Sequence, residues 1–309
     1  MRISSNCRHT INTFAFLTCE SLGVESGSYS QMPTPIVTED FVRLFFSSRD
    51  LQSRSHIYYA DLDLDDLGVV KNTGQTGLKL GKPGSFDDSG VMPSSISKVN
   101  DEMFLYYIGW NKSDVVPYRL AIGLAKMDVN LSIFEKYSEG PIIDRSTSNP
   151  FFVTTPNVTQ NGSDYEMLYS KGYEWQLENE QMESNYLVSR AESSDGVSWK
   201  NFKNLDLPNS KNACIARPVQ FNDHIIYSKR PSLNFRQKEN GYRVIIAKPT
   251  GLDSYEECKI EWTCDYPVGK DVSYAYPIQV AGVQFLFFNG ENFGKYGIYV
   301  AKIEGLDHW

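Results

Sequence analysis

The chain has 309 residues, 41% of them hydrophobic, enough for one large domain or two ordinary ones with real cores. Its 30 Lys and Arg against 38 Asp and Glu give a net charge of −8 with no basic cluster, which argues against nucleic acid or an anionic membrane surface as partner. Aromatics make up 13% and no apolar run nears the ~20 residues of a membrane span, so a strand-rich globular protein without membrane insertion is expected.

In chain order, "TINTFAFLT" (10–18) reads as a lone apolar strand. Five copies of one pattern follow. Each opens with a proline-bearing strand: "PTPIV", "MPSSI", "TTPNV", "ARPVQF" and "AYPIQV". Each continues with a strand that ends in a polar turn: "VRLFFSSRD", "MFLYYIGWN", "YEMLYSKGYEW", "HIIYSKRP" and "VQFLFFNGEN". A third strand holding an alanine comes next, as in "YYADLD", "IGLAKMD" and "IYVAKIEG". The last aromatics of the second strands, Phe46, Tyr107, Tyr169, Tyr227 and Phe288, are spaced by 61, 62, 58 and 61 residues. The prolines, Pro35, Pro93, Pro156, Pro218 and Pro277, are spaced by 58, 63, 62 and 59. Proline lacks an N–H for the ladder, so these positions are expected at strand beginnings.

A self-similar β unit cannot bury both faces alone, so copies must stack or close radially. A period near 60 is too long for a β-helix rung and matches a four-stranded propeller blade. The expected fold is therefore all-β, a single five-bladed β-propeller over 1–309. Its blades are 28–83, 84–145, 146–211, 212–269 and 270–309, with 1–27 closing the last one.

Cys7, Cys19, Cys214, Cys258 and Cys264 are odd in number and lack the spacing of a disulfide framework or a zinc site, so a reduced, cytoplasmic chain is expected. His56 and His224 lie within strands, where a lone histidine reads as a core residue rather than a metal ligand.

In such a blade the first strand lines the axis and the second runs antiparallel to it. The start of the first and the end of the second therefore share a face. That geometry selects Gln31 with Arg49 and Asp50; Asp87 and Asp88 with Trp110 and Asn111; Asp144 and Arg145 with Glu174 and Trp175; Arg217 with Lys229 and Arg230; and Tyr274 and Tyr276 with Asn289, Glu291 and Asn292. Adjacent strand residues point to opposite sides, so of the pair in "FDDSG" Asp88 is expected to face the axis and Asp87 to hold the turn. The mixture of acids, arginines, amides and aromatics suits sugar rings, whose hydroxyls need paired donors and acceptors and whose apolar faces stack on Trp or Tyr. Glycosidic hydrolysis needs two carboxyl groups, one protonated and one ionised.

At these motifs, together with "SEGPIIDRS" and "FNGENFGKYGIYVA", the sequence resembles the five-bladed β-propeller glycosidases of families 32, 43, 62, 68, 117 and 130 over roughly 28–305. It looks closest to an uncharacterised branch associated with bacterial surface-polysaccharide gene clusters. The resemblance implies a glycosidase acting on a surface or capsular saccharide or its precursor, with channel acids as general acid and as base or nucleophile. Onto this sequence they map as Asp88, Glu174 and Asp50. Arg49, Asp87, Trp110, Asn111, Asp144, Arg145, Trp175, Arg217, Arg230, Tyr276, Asn289 and Glu291 then form the substrate site. Gln31 departs from the pattern, standing where the first blade would carry an aspartate. The open alternatives are a non-catalytic carbohydrate-binding propeller and a phosphorylase using Arg217, Lys229 and Arg230 as an anion pocket. No cofactor is expected; some relatives carry channel calcium, but no ligand spacing here demands a metal. Oligomeric state is left open.

Overall fold

The computed structural model describes residues 7–132, 134–210, 213–234, 236, 240–251, 253–264 and 271–305. Residues 1–6 and 306–309, the two ends of the expected domain, lie outside the described residues. The strands are β1 (Arg8–Thr18), β2 (Gln31–Val37), β3 (Val42–Arg49), β4 (Ser55–Leu62), β5 (Val69–Gln75), β6 (Gly90–Val99), β7 (Glu102–Lys112), β8 (Tyr118–Met127), β9 (Phe134–Lys136), β10 (Val153–Asn161) and β11 (Asp164–Glu178). The series continues with β12 (Gln181–Ser193), β13 (Lys200–Asn204), β14 (Ala213–Phe221), β15 (His224–Pro231), β16 (Arg243–Pro249), β17 (Tyr255–Glu257), β18 (Lys259–Cys264), β19 (Ser273–Val280), β20 (Val283–Asn289) and β21 (Gly297–Glu304). No helix among the described residues is long and apolar enough to cross a membrane.

Hydrogen bonding groups the strands into antiparallel units β2–β5, β6–β9, β10–β13 and β14–β17. A further unit runs β19–β20–β21–β1, with β18 lying parallel to β1 at its outer edge. The first strands touch in the order β2, β6, β10, β14, β19 and back to β2. The first two units are also joined by a single parallel bridge, Ser55 to Gly90.

The aromatic doublets of the second strands explain how the units pack. Neighbouring residues on a strand point to opposite faces, so each doublet feeds two cores. Phe45 packs with Val91 and Leu105 between the first and second units, while Phe46 packs with Tyr276 and Phe287 between the first and fifth. Tyr107 joins the first of these cores and Tyr106 the next, with Val153 and Tyr169. Leu168 and Tyr227 share the core between the third and fourth units; Ile226 and Phe288 share that between the fourth and fifth. Five cores thus alternate with five units, which is why the second strands are buried on both faces.

The prolines do not stand at strand beginnings. They lie inside the first strands, within or beside a slip in the pairing register: Pro156 and Pro218 fall inside the slips between Thr154 and Asn157 and between Ala216 and Val219, while Pro35, Pro93 and Pro277 face Leu44, Tyr107 and Leu286 next to slips of their own. A bulge leaves a residue outside the ladder, so the missing N–H of Pro156 and Pro218 costs nothing there. At four of the five bulges the chain enters the left-handed region, at Met32, Thr155, Arg217 and Tyr274 (φ 60, 50, 49 and 56). These side chains are thereby re-aimed toward the hub.

The cysteine reading is corrected by ring topology. Cys7 and Cys258, 251 residues apart, form a disulfide, because β1 returns to lie beside β18. No local spacing can announce a pairing made by two distant strands.

Candidate functional site

A cavity of about 230 Å³ opens at the hub, on the face where first strands begin and second strands end. The first strands contribute Gln31, Met32, Met92, Thr154, Thr155, Ala216 and Tyr274, and the second strands Arg49, Ile108 and Trp110. A third group comes from strand beginnings one position further out: Ser55, Tyr118, Leu120, Ser184 and Tyr186. Sequence reasoning missed these, although a third strand must start on the face where the second ends.

The described lining residues form an aromatic belt with one cation. Trp110 is pinned by its indole N–H, which donates to Ser55 Oγ at 3.2 Å. Tyr118 meets Ser184 through its hydroxyl at 2.9 Å and packs edge-on to Trp175 at 5.2 Å. Phe152 lies 5.7 Å from Trp175 and 6.2 Å from Tyr186. The Tyr186 and Tyr242 hydroxyls meet, and Tyr242 continues the belt to Tyr274 at 6.4 Å. Burial, helped by the neighbouring Tyr118 and Asp271, pushes the Tyr274 hydroxyl up to about 12, so it remains a donor at neutral pH. Arg49 stacks over Tyr29 at 4.5 Å and reaches Gln31 Oε1 at 3.4 Å. Among the described lining residues there is no carboxylate.

The other predicted residues have partners of their own. Asp50 accepts from the Gln52 and Arg54 N–H groups and from the Arg54 and His56 side chains. Despite partial burial, which opposes ionisation, the His56 and Arg54 contacts hold its carboxyl down at about 2. Glu174 accepts from Gln176 at 2.7 Å, outside the cavity wall, and Trp175 stands behind Tyr118 and Phe152 rather than in the lining. Asp88 accepts from the Gly84 N–H at 2.8 Å and the Ser89 hydroxyl at 2.8 Å, so it caps its own loop instead of facing the axis. Asp87 is fully buried and accepts from Tyr107 at 2.9 Å and Lys136 at 2.6 Å. Tyr169 makes the corresponding bond to Asn149, also 20 residues upstream. The link from a residue ahead of the first strand to the last aromatic of the second thus recurs in two units.

Arg217 is almost wholly buried, with its guanidinium bonded to Pro33 O at 2.6 Å, Thr34 Oγ1 at 2.8 Å and Tyr274 O at 3.2 Å. It lies over Tyr276, which forms part of the first–fifth core. Arg230 donates to Ser184 O and the Tyr242 hydroxyl from beneath the belt, and Lys229 pairs with Glu257. The anion pocket expected from these three cations is therefore not assembled. Asn289 is buried, bonding the Met32 N–H and the Ser30 and Gly297 carbonyls, and so latches the fifth unit to the first. Asn292 lies in a left-handed turn, φ 59, that carries Phe293 toward Tyr242 and Tyr274. Asn111, Asp144 and Arg145 do converge, with Arg119, around a second cavity of about 170 Å³ that shares Leu120 with the first.

Asp271, which sequence reasoning passed over, stands beside the belt and accepts from the Tyr242 N–H at 2.7 Å. Burial, and then repulsion from Glu291, push its carboxyl up to about 7. Asp271 lies two residues before β19 as Asp88 lies two before β6, so reading every unit for an acid at that entry would have found it. The folded-state value exceeds the ~3.9 of an unfolded chain, so the folded protein holds the extra proton between those limits. Stability should then fall as pH rises from about 4 to 7. Asp271→Asn should remove about 2 kcal/mol of that fall once partial exposure is allowed for. Denaturant midpoints of both proteins across this range check it, and parallel profiles would refute it.

No family model matches the chain. An uncharacterized protein of Mycobacterium tuberculosis, in strains H37Rv and CDC 1551, is 28% identical over 295 residues, covering 90% of this chain and 94% of the relative. Among solved structures, the chain is similar to a glycoside hydrolase (TM-score 0.65, 16% identity, 92% of this chain and 89% of that one). It is also similar to Zg3597, a family 117 glycoside hydrolase of Zobellia galactanivorans (0.63, 12%, 97% and 91%). A third is CoXyl43, a GH43 β-xylosidase/α-arabinofuranosidase from a compost metagenome, in complex with xylotriose (0.60, 13%, 90% and 93%). The chain shares the fold of the β-propeller glycosidases.

Proposed function

We propose that the chain is one five-bladed β-propeller domain that binds a saccharide in its hub cavity. The observation that carries this reading is the lining itself: among the described lining residues, an aromatic belt around a single arginine and no carboxylate. Ring faces of a sugar stack on Trp110 and Tyr274, while Arg49 forks onto a carboxylate or vicinal hydroxyls. The sequence resemblance supports a bacterial surface or capsular saccharide, or its precursor, as the ligand class. Asp50, Asp88 and Glu174 have no part in it, since each is engaged in a local hydrogen bond away from the cavity.

A second reading, hydrolysis, is favoured by one observation. Asp271 keeps a proton near neutrality beside the belt, as a general acid must. Calorimetry against a panel of surface and capsular oligosaccharides separates the two. Binding without release of reducing sugar supports a recognition module, with Trp110→Ala weakening it about 30-fold, as for a stacked aromatic anchor. Turnover abolished by Asp271→Asn supports hydrolysis. A panel that neither binds nor reacts removes both.

A further inference from the structure

On the side of the molecule away from the hub cavity, four ligating side chains meet: Cys7, His9, His224 and Cys258. Their donor atoms all lie within 4.8 Å of one another and all four residues are buried. Cys7 directly precedes β1, His9 sits on β1, His224 opens β15 and Cys258 lies between β17 and β18. The cluster therefore joins the strand that completes the fifth unit to the fourth unit.

We propose that these residues form a Cys2His2 site for zinc or a similar thiophilic divalent metal, filled when the two cysteines are reduced. Zinc bonds of ~2.3 Å to sulfur and ~2.0–2.1 Å to nitrogen imply tetrahedral sulfur–nitrogen edges of about 3.6 Å. Cys7 Sγ lies 3.3 Å from His9 Nε2 and 3.9 Å from His224 Nε2, on either side of that value. The two imidazoles stand edge to face, 5.2 Å between centroids and 84° between planes, so both present a ring nitrogen to the sulfurs. The Asp223 carboxylate lies 2.6 Å from His224 Nδ1, out of line for a full hydrogen bond but placed to hold Nε2 as the ligating nitrogen.

Disulfide and metal are exclusive occupants of the same place, because a sulfur in a disulfide is no thiolate. A dithiol reductant gives two electrons and two protons to the Cys7–Cys258 bond and becomes its own cyclic disulfide. The metal then displaces the two thiol protons, and the sulfurs part to a tetrahedral edge of about 3.8 Å. Either occupant staples β1 to the neighbouring unit. His224, which reads as an isolated core histidine in the sequence, meets Cys7 and His9 from the N-terminal strand and Cys258 from the far end of its own unit.

The test uses the full chain, reduced with dithiothreitol, stripped with a chelator and desalted without oxygen. It should take up one Zn2+ per chain, and Co2+ should give the intense visible bands of a tetrahedral thiolate centre. Metal at a hundredfold excess over Kd should raise Tm by about 4 °C. The bands should vanish in His224→Ala and in Cys258→Ser and persist in Cys214→Ser. Oxidised wild-type chain should bind none, a comparison that holds even if the variants misfold. No uptake by reduced wild-type protein, or bands that survive in the disulfide form or in both ligand variants, would overturn the site.

Discussion

Asp87→Ala should destabilise the protein by about 3–5 kcal/mol, as expected when one member of a buried ion pair is removed and the other is stranded. The Asp87 side chain is completely shielded, and its Oδ2 serves both Lys136 Nζ and the Tyr107 hydroxyl. Lys136 on β9 is itself largely shielded, so without the carboxylate its charge loses the partner at 2.6 Å. Tyr107 loses the acceptor of its hydroxyl proton; burial, then the Asp87 charge, already push that hydroxyl far above the usual phenol range. Asp88→Ala, one residue on, should cost about 1 kcal/mol, the value of a loop hydrogen bond near solvent. Urea midpoints of the two variants measured together check the contrast. Equal losses would mean that the buried pair contributes no more than a loop cap.

Arg217→Ala should cost about 3 kcal/mol in stability. Three bonds to acceptors on β2 and β19 disappear, leaving Pro33 O and Tyr274 O unpaired in a dry hub, and each charged bond is worth ~1.5–3 kcal/mol. Loss of the side chain's volume adds a cavity. Relief of the guanidinium's own desolvation offsets part of this. That burial pulls its pKa down to about 9, which still leaves it charged at neutral pH. Saccharide affinity should change less than the unfolding midpoint. A variant that melts like wild type but no longer binds would return Arg217 to the ligand site.

These two residues show how much of the molecule was legible in its sequence. The period near 60, the aromatic doublets and the functional face follow from strand alternation and antiparallel order, which are properties of a unit and repeat with it. Which side chains enter the cavity depends on bulges and loop hydrogen bonds. Arg217 lies at an apt position for a clamp, but the left-handed backbone at the bulge turns it inward onto carbonyls. Asp50 and Asp88 lie on the right face and are captured by N–H groups of their own turns, a competition that residue type and spacing do not decide. The cysteine–histidine cluster was illegible for another reason: its members are distant in sequence and meet only where β1 crosses back.

The antiparallel pairing of β1 with β21 also sets an order of events during synthesis. β1 has no antiparallel partner until β21 has emerged, nearly 290 residues later. At ~5–20 residues per second the wait is roughly 15–60 s. Throughout that interval β1 presents an open, half-apolar edge, and the first unit stands with its neighbour missing on one side. A ribosome pause anywhere between β1 and β21 lengthens this exposure by its own duration.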